Sequence, residues 1–159
     1  MKKIKMALTV FLAGLCMLVL AGCGEPETKE GTNAAAFTVI TNEKGYEVTD
    51  LTANLQEEGL LTALKAQKKD SQSITLRFYD FQTEDQAKNY YDTLVKGYGT
   101  ENPSKEKTTE GQNYTTYRAE FSQMNNEVIL SRVNHSIVYI IGDMGDDISE
   151  DQLAKDLGV

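Results

Sequence analysis

Residues 137 to 141 read Ile-Val-Tyr-Ile-Ile, a run without a strongly polar side chain. Successive side chains of a strand point to opposite faces, so this strand is apolar on both and belongs in the middle of a sheet. Its surroundings agree. Residues 113–121 place Tyr117, Ala119 and Phe121 on one face, and residues 127–133 and 136–142 follow as further strands. Polar turns at 122–126 and at Asn134-His135 join them, which predicts an antiparallel meander.

Upstream, residues 73–81 alternate, with Ile74, Leu76 and Phe78 on one side and Thr75, Arg77 and Tyr79 on the other, the pattern of a half-buried strand. A helix from Glu84 to about Lys96 follows, because Ala87, Tyr90, Tyr91, Leu94, Val95 and Tyr98 share one helical face. Thr83 and Gln86 form its capping box, and Gly97 and Gly99 are expected to stop it. Residues 100–111, with Pro103, read as a long solvated loop. The chain ends on a short helix, with Ser149 as cap, Gln152 at its third position and Ile148 facing Leu153.

The N-terminal third is two-sided. Asn33 caps a helix over residues 34–44 that Gly45 ends, with a strand over 46–51 next; the rival is a strand through Phe37, Val39 and Thr41. We take the helix. Residues 60–68 fit either a helix, through Leu60, Leu61 and Leu64, or a strand leading into a turn at 69–72. A faint repeat aligns residues 73–80 with 136–143, each followed by a helix containing Glu-Asp-Gln. Chance likeness between two strand-to-helix joins remains the alternative. The predicted fold is α+β: an antiparallel sheet with helices on one face, as two tandem halves of a helix plus three strands.

The first residues have a different character. Lys2, Lys3 and Lys5 precede an apolar run from Met6 to Leu20, about 15 residues long and short of the ~20 that a spanning helix needs. Small residues then lead to Cys23, the organisation of a secretory signal peptide. Leu20-Ala21-Gly22-Cys23 resembles the lipobox of bacterial lipoproteins at all four positions. The resemblance implies cleavage before Cys23, diacylation of its sulfur and an extracytoplasmic location for the remainder. Gly24 replaces the Asp that retains lipoproteins in the inner membrane, so in a host with two membranes the resemblance implies the outer one. The chain also looks like the small, functionally unassigned lipoproteins of bacterial envelopes. The expected organisation is therefore a signal peptide (1–22), a lipidated cysteine with a flexible tether (23–33), and one α+β domain (34–159).

Composition narrows function. Loss of residues 1–22 removes three lysines and no acid, taking the formal charge from −8 to −11. Nucleic acids and anionic headgroups attract basic patches, so neither suits such a chain, and membrane attachment falls to the lipid on Cys23. Cys16 and Cys23 are the only cysteines, which leaves the exported part without a disulfide or thiol nucleophile. His135, the only histidine, falls in a turn and is expected to be structural.

Asp143, Asp146, Asp147, Glu150 and Asp151 crowd into nine residues, but Gly145 and Ile148 break the calcium-loop spacing. Acids at a helix start serve its dipole equally well, so no metal is expected. Of the eight tyrosines, all but Tyr46 and Tyr114 are explained by helix and strand packing, and no phosphate-binding glycine loop is present. We expect no cofactor and no catalysis, but a binding or interaction module whose partner is an envelope protein or ligand. The alternatives are an envelope hydrolase with an unrecognised site, or a proteinaceous inhibitor, since tandem halves resemble the architecture of a secreted β-lactamase inhibitor.

Overall fold

The computed structural model describes residues 27–71, 73–144 and 150–159. Asn33 opens α1 (Ala34–Glu43) by accepting the Ala36 amide on its side chain at 3.0 Å, and Gly45 ends it at φ +80°. Strands β1 (Glu47–Asp50), β2 (Leu60–Gln67) and β3 (Ile74–Phe81) follow. Next come α2 (Glu84–Gly99), then β4 (Lys105–Glu110), β5 (Tyr114–Phe121), β6 (Asn126–Val133) and β7 (Ser136–Asp143). The last described element is α3 (Glu150–Asp156). The predicted cap at Ser149 and Ile148 lies outside the described residues.

The seven strands form one antiparallel sheet in the order β1-β2-β3-β7-β6-β5-β4. Two meanders therefore meet where β3 pairs with β7, from Ile74 opposite Gly142 to Asp80 opposite Ser136. The α+β class and antiparallel sheet are as expected, and β7 is interior. The helices, however, lie on both faces. Phe37 of α1 and Leu153, Ala154 and Leu157 at the C-terminus pack on Leu76, Phe78, Ile129 and Ile140. Ala87 and Tyr91 of α2 pack on Tyr79, Leu130, Ile137 and Tyr139 on the opposite side. The reason is visible in β7: a strand apolar on both faces must be covered on both.

Equal halves are not found either. The second meander has four strands against three, and the two aligned segments are β3 and β7 with opposite facing. Leu76 lies in the α1 layer, whereas Tyr139, its counterpart in the alignment, lies in the α2 layer. An odd offset between paired strands inverts the faces.

Two other expectations change. Residues 105–110 are strand β4, although all six side chains are exposed. The β5 ladder holds it, with Lys105 2.8 Å from Glu120 and the Tyr117 hydroxyl donating to Glu106 at 3.1 Å. A strand without an apolar face leaves no alternation to read. Helix α2 also continues through Gly97 and Gly99. The next residue on its buried face, Tyr98, packs its ring 5.9 Å from Phe121, which holds the last turn in place. Residues 60–67 settle as a strand because β1 and β3 both pair with them, leaving Leu61 on the surface.

Residues 27–33, expected to be free tether, are bound to the domain. The Gln112 amide donates to the Glu27 carbonyl at 3.0 Å, and Asn113 exchanges two hydrogen bonds with the Lys29 backbone, at 3.0 and 2.9 Å. Lys29 also lies 4.4 Å above the Tyr114 ring.

Two measurements check this packing. Tyr91, 4% exposed, is wedged between α2 and the sheet, and its replacement by Ala should cost about 3–5 kcal/mol in chemical denaturation. Asp156 joins α3 to α1 through Lys44 at 2.6 Å, and hydrogen bonds from Lys44 and Gln152 hold its carboxyl below its ordinary range. A carboxyl depressed on folding stabilises above its unfolded pKa and loses that contribution as pH falls through the folded value. An NMR titration should place the Asp156 midpoint below 3.8 and show it rising in Lys44→Ala.

Candidate functional site

Helix α2 divides its side of the sheet into three regions. Thr83 caps its start by accepting the Gln86 amide at 3.3 Å, and the Thr83 hydroxyl donates to the Gln86 side chain at 3.1 Å. Beside this first half lies a shallow cleft of about 200 Å³ among Glu57, Glu58, Phe81, Gln86, Tyr90 and Thr93. At the other end, a wider cleft of about 490 Å³ opens between the α2–β4 connection and the β5–β6 turn. Phe121 contributes an apolar surface to it, and Met124 and Ser104 line its sides with the polar side chains of Asn102 and Gln123.

Serines brace this wider cleft. Ser104 donates both its amide and its hydroxyl to the Glu120 carbonyl at 2.8 Å, and its oxygen accepts from the Ser122 hydroxyl at 2.8 Å. Asn102 and Asn125 hold φ near +55°, a region that asparagine tolerates better than most residues. Met124 is half exposed, and a methionine adapts its shape readily to a ligand. The lining suits an uncharged, mixed polar and apolar ligand. Glu101 is its one formal charge among the described lining residues.

Between the two clefts a layer of tyrosines surrounds Arg77. Its guanidinium donates to the Tyr79 hydroxyl at 3.4 Å and lies 5.6 Å from the Tyr139 ring centroid. The Tyr98 and Tyr139 hydroxyls bond to each other, and the Tyr79 and Tyr90 rings meet edge to face at 5.1 Å. Burial works against the arginine charge, but the Tyr79 hydrogen bond and the fields of Tyr79, Tyr139 and Tyr98 outweigh it and raise the pKa. Burial likewise raises Tyr90, Tyr91 and Tyr139, so each stays a neutral phenol at physiological pH. A phenol held neutral is a donor or packing group, not a nucleophile.

The sequence candidates fall as follows. Cys23, Asp146 and Asp147 lie outside the described residues. His135 sits at the turn, where Asn134 takes φ +51°, and its Nδ1 is 2.7 Å from an Asp80 oxygen. The adjacent hydroxyl of Ser136 donates to the Val133 carbonyl at 3.1 Å. Ser131 and Thr116 bond to each other at 2.8 Å. Tyr46 and Tyr114 are both core residues at 2% exposure. Sequence reasoning missed Arg77, whose place beside Tyr79 looked like the solvated face of a strand, and Asn113, for which the sequence carried no signal. Among the described residues, no cluster of His, Cys, Asp or Glu is arranged to hold a metal.

No protein-family model matches the chain, and no curated protein matches it. Two solved structures follow a similar path. A GTP-binding regulator from Thermotoga maritima shares 10% identity over 82% of this chain and 91% of its own, with a TM-score of 0.49. The extracellular domain of PknH from Mycobacterium tuberculosis shares 12% over 84% and 80%, with a TM-score of 0.39.

Because Asp80 is the partner that the structure gives the imidazole, His135→Asn should behave as an ordinary surface change. We expect a melting temperature within a degree or two of wild type, as ±0.5 kcal/mol implies for a domain of this size.

Proposed function

We propose that the chain is a lipid-anchored, extracytoplasmic protein of the bacterial cell envelope that acts as a non-catalytic binding or interaction module. The observation that carries this reading is the complete lipobox Leu20-Ala21-Gly22-Cys23 behind a cationic and then apolar segment. In it, residues 1–22 are removed, Cys23 holds the lipid and residues 34–159 form the exported domain. A host with two membranes would carry it in the outer one, because Gly24 follows the cysteine. Two acyl chains hold a protein stably where one does not, so the acidic surface need not bind lipid.

The hydrogen bonding supports a binding role over catalysis. The hydroxyl adjacent to His135, that of Ser136, is committed to the Val133 carbonyl. Nucleophilic catalysis needs a hydroxyl presented to its base, and the hydroxyl next to this imidazole, which bridges to Asp80, is turned to a backbone carbonyl instead. The wider cleft, with its adaptable Met124 and braced walls, offers a recognition surface instead.

Cells fed a clickable fatty acid should label the wild-type protein in the membrane fraction, and Cys23→Ala should lose the label and accumulate as uncleaved precursor. Label retained on Cys23→Ala would overturn the reading. Detergent extraction of the wild type from its native membranes should then retain a bound protein or ligand. A hydrolase activity abolished by His135→Asn without loss of fold would replace the binding module with an enzyme.

A further inference from the structure

We infer that the domain stands on the membrane by one defined end, the end at which residues 27–29 are clasped to the β4–β5 turn. The inference rests on the lipidation of Cys23 proposed above and adds the orientation and spacing that it produces. Three hydrogen bonds fix the clasp: the Gln112 amide to the Glu27 carbonyl, the Lys29 amide to Asn113, and the Asn113 amide group to the Lys29 carbonyl. Gly111 is part of it. A Cβ there would come within 2.6 Å of the Glu27 carbonyl and 2.1 Å of the Tyr114 ring, so the close approach of the two segments requires glycine.

Covalent geometry does the rest. Four peptide steps separate Glu27 from Cys23, and at ~3.5 Å each the lipidated residue lies no more than ~14 Å from the clasp, whatever path residues 24–26 take. Without the clasp, Asn33 would be the first fixed point, and the same arithmetic would allow ~35 Å. The first distance keeps one end of the domain at the bilayer. The second would let the domain tumble.

Strand direction identifies the two ends. β5 leaves the clasp at Tyr114 and reaches Phe121 ~23 Å away, and the antiparallel ladder puts the wider cleft, with Ser104 and Met124, at that far end. The membrane-facing end carries Glu57, Glu58, Asp80, Glu84, Asp85 and Glu110. Such a surface does not adhere to anionic headgroups. The repulsion reaches about one Debye length, ~8 Å at physiological salt, which a tether of up to ~14 Å can span. The domain therefore stands off the bilayer on its lipid, and the cleft points outward to the partner.

Energy transfer tests the orientation. Glu58 at the clasped end and Gln123 at the cleft are both exposed, and an introduced cysteine is the only free thiol once residues 1–22, with Cys16, are removed and Cys23 is acylated. Mature Glu58→Cys and Gln123→Cys proteins, purified with their lipid, labelled with a donor and reconstituted into vesicles bearing a headgroup-labelled acceptor, should place the Gln123 probe ~20 Å further from the acceptor plane. Addition of Asn113→Ala, which removes two of the three clasp bonds, should shrink that difference. Equal transfer from the two sites in a protein shown to carry acyl label would overturn the orientation alone. Absence of acyl label on Cys23 would overturn the anchoring reading and this inference with it.

Discussion

The pairing of β3 with β7 is the contact on which the remaining structure depends. It is the seam between two meanders distant in sequence, and it lies beneath helices on both faces. Ile140 and Leu76 are fully buried on one side, as is Ile137 on the other, where Tyr79 is nearly so. With no cysteine among the described residues to form a disulfide, that two-sided burial supplies the stabilisation. At ~25 cal/mol per Å² of apolar surface, each large side chain there contributes roughly 1.5–3 kcal/mol, whereas an exposed ion pair contributes less than about one.

Much of this arrangement can be read from the residues, and the parts that cannot have physical causes. Asn33, Gly45 and Thr83 occupy the caps their chemistry predicts, because capping depends on a few neighbouring atoms. The doubly apolar β7 marks the middle of the sheet for the same local reason. The side on which a helix packs depends on connections that no local pattern encodes, so one covered face was expected where there are two. β4 is illegible because hydrophobic periodicity reports burial, and a strand exposed on both sides has none to report.

The candidate site is less legible than the fold. Arg77 and Tyr79 alternate with Leu76 and Phe78 as a solvated face would, and only the arrival of α2 over them turns that face into a layer of hydroxyls around a cation. The clasp is harder still. Asn113 touches Lys29 across 84 positions, and a hydrogen bond between a side-chain amide and a distant backbone leaves no trace in composition or spacing. The resemblance of Leu20-Ala21-Gly22-Cys23 to a lipobox, by contrast, lies in four contiguous residues and needs no fold to be read.

The two margins of the sheet differ from its centre in what holds them. β4 has six exposed side chains and relies on backbone bonds to β5, while β7 is bonded on both edges and covered on both faces. Opening free energy follows buried contact, so the amides of β4 should exchange with solvent through local fraying and those of β7 only when the whole domain unfolds. Lys105, Glu106, Lys107 and Glu110 keep that loose margin charged. A charged margin discourages a fraying strand from being replaced by a neighbour's. The weakest part of the sheet is thus also the part least suited to templating aggregation.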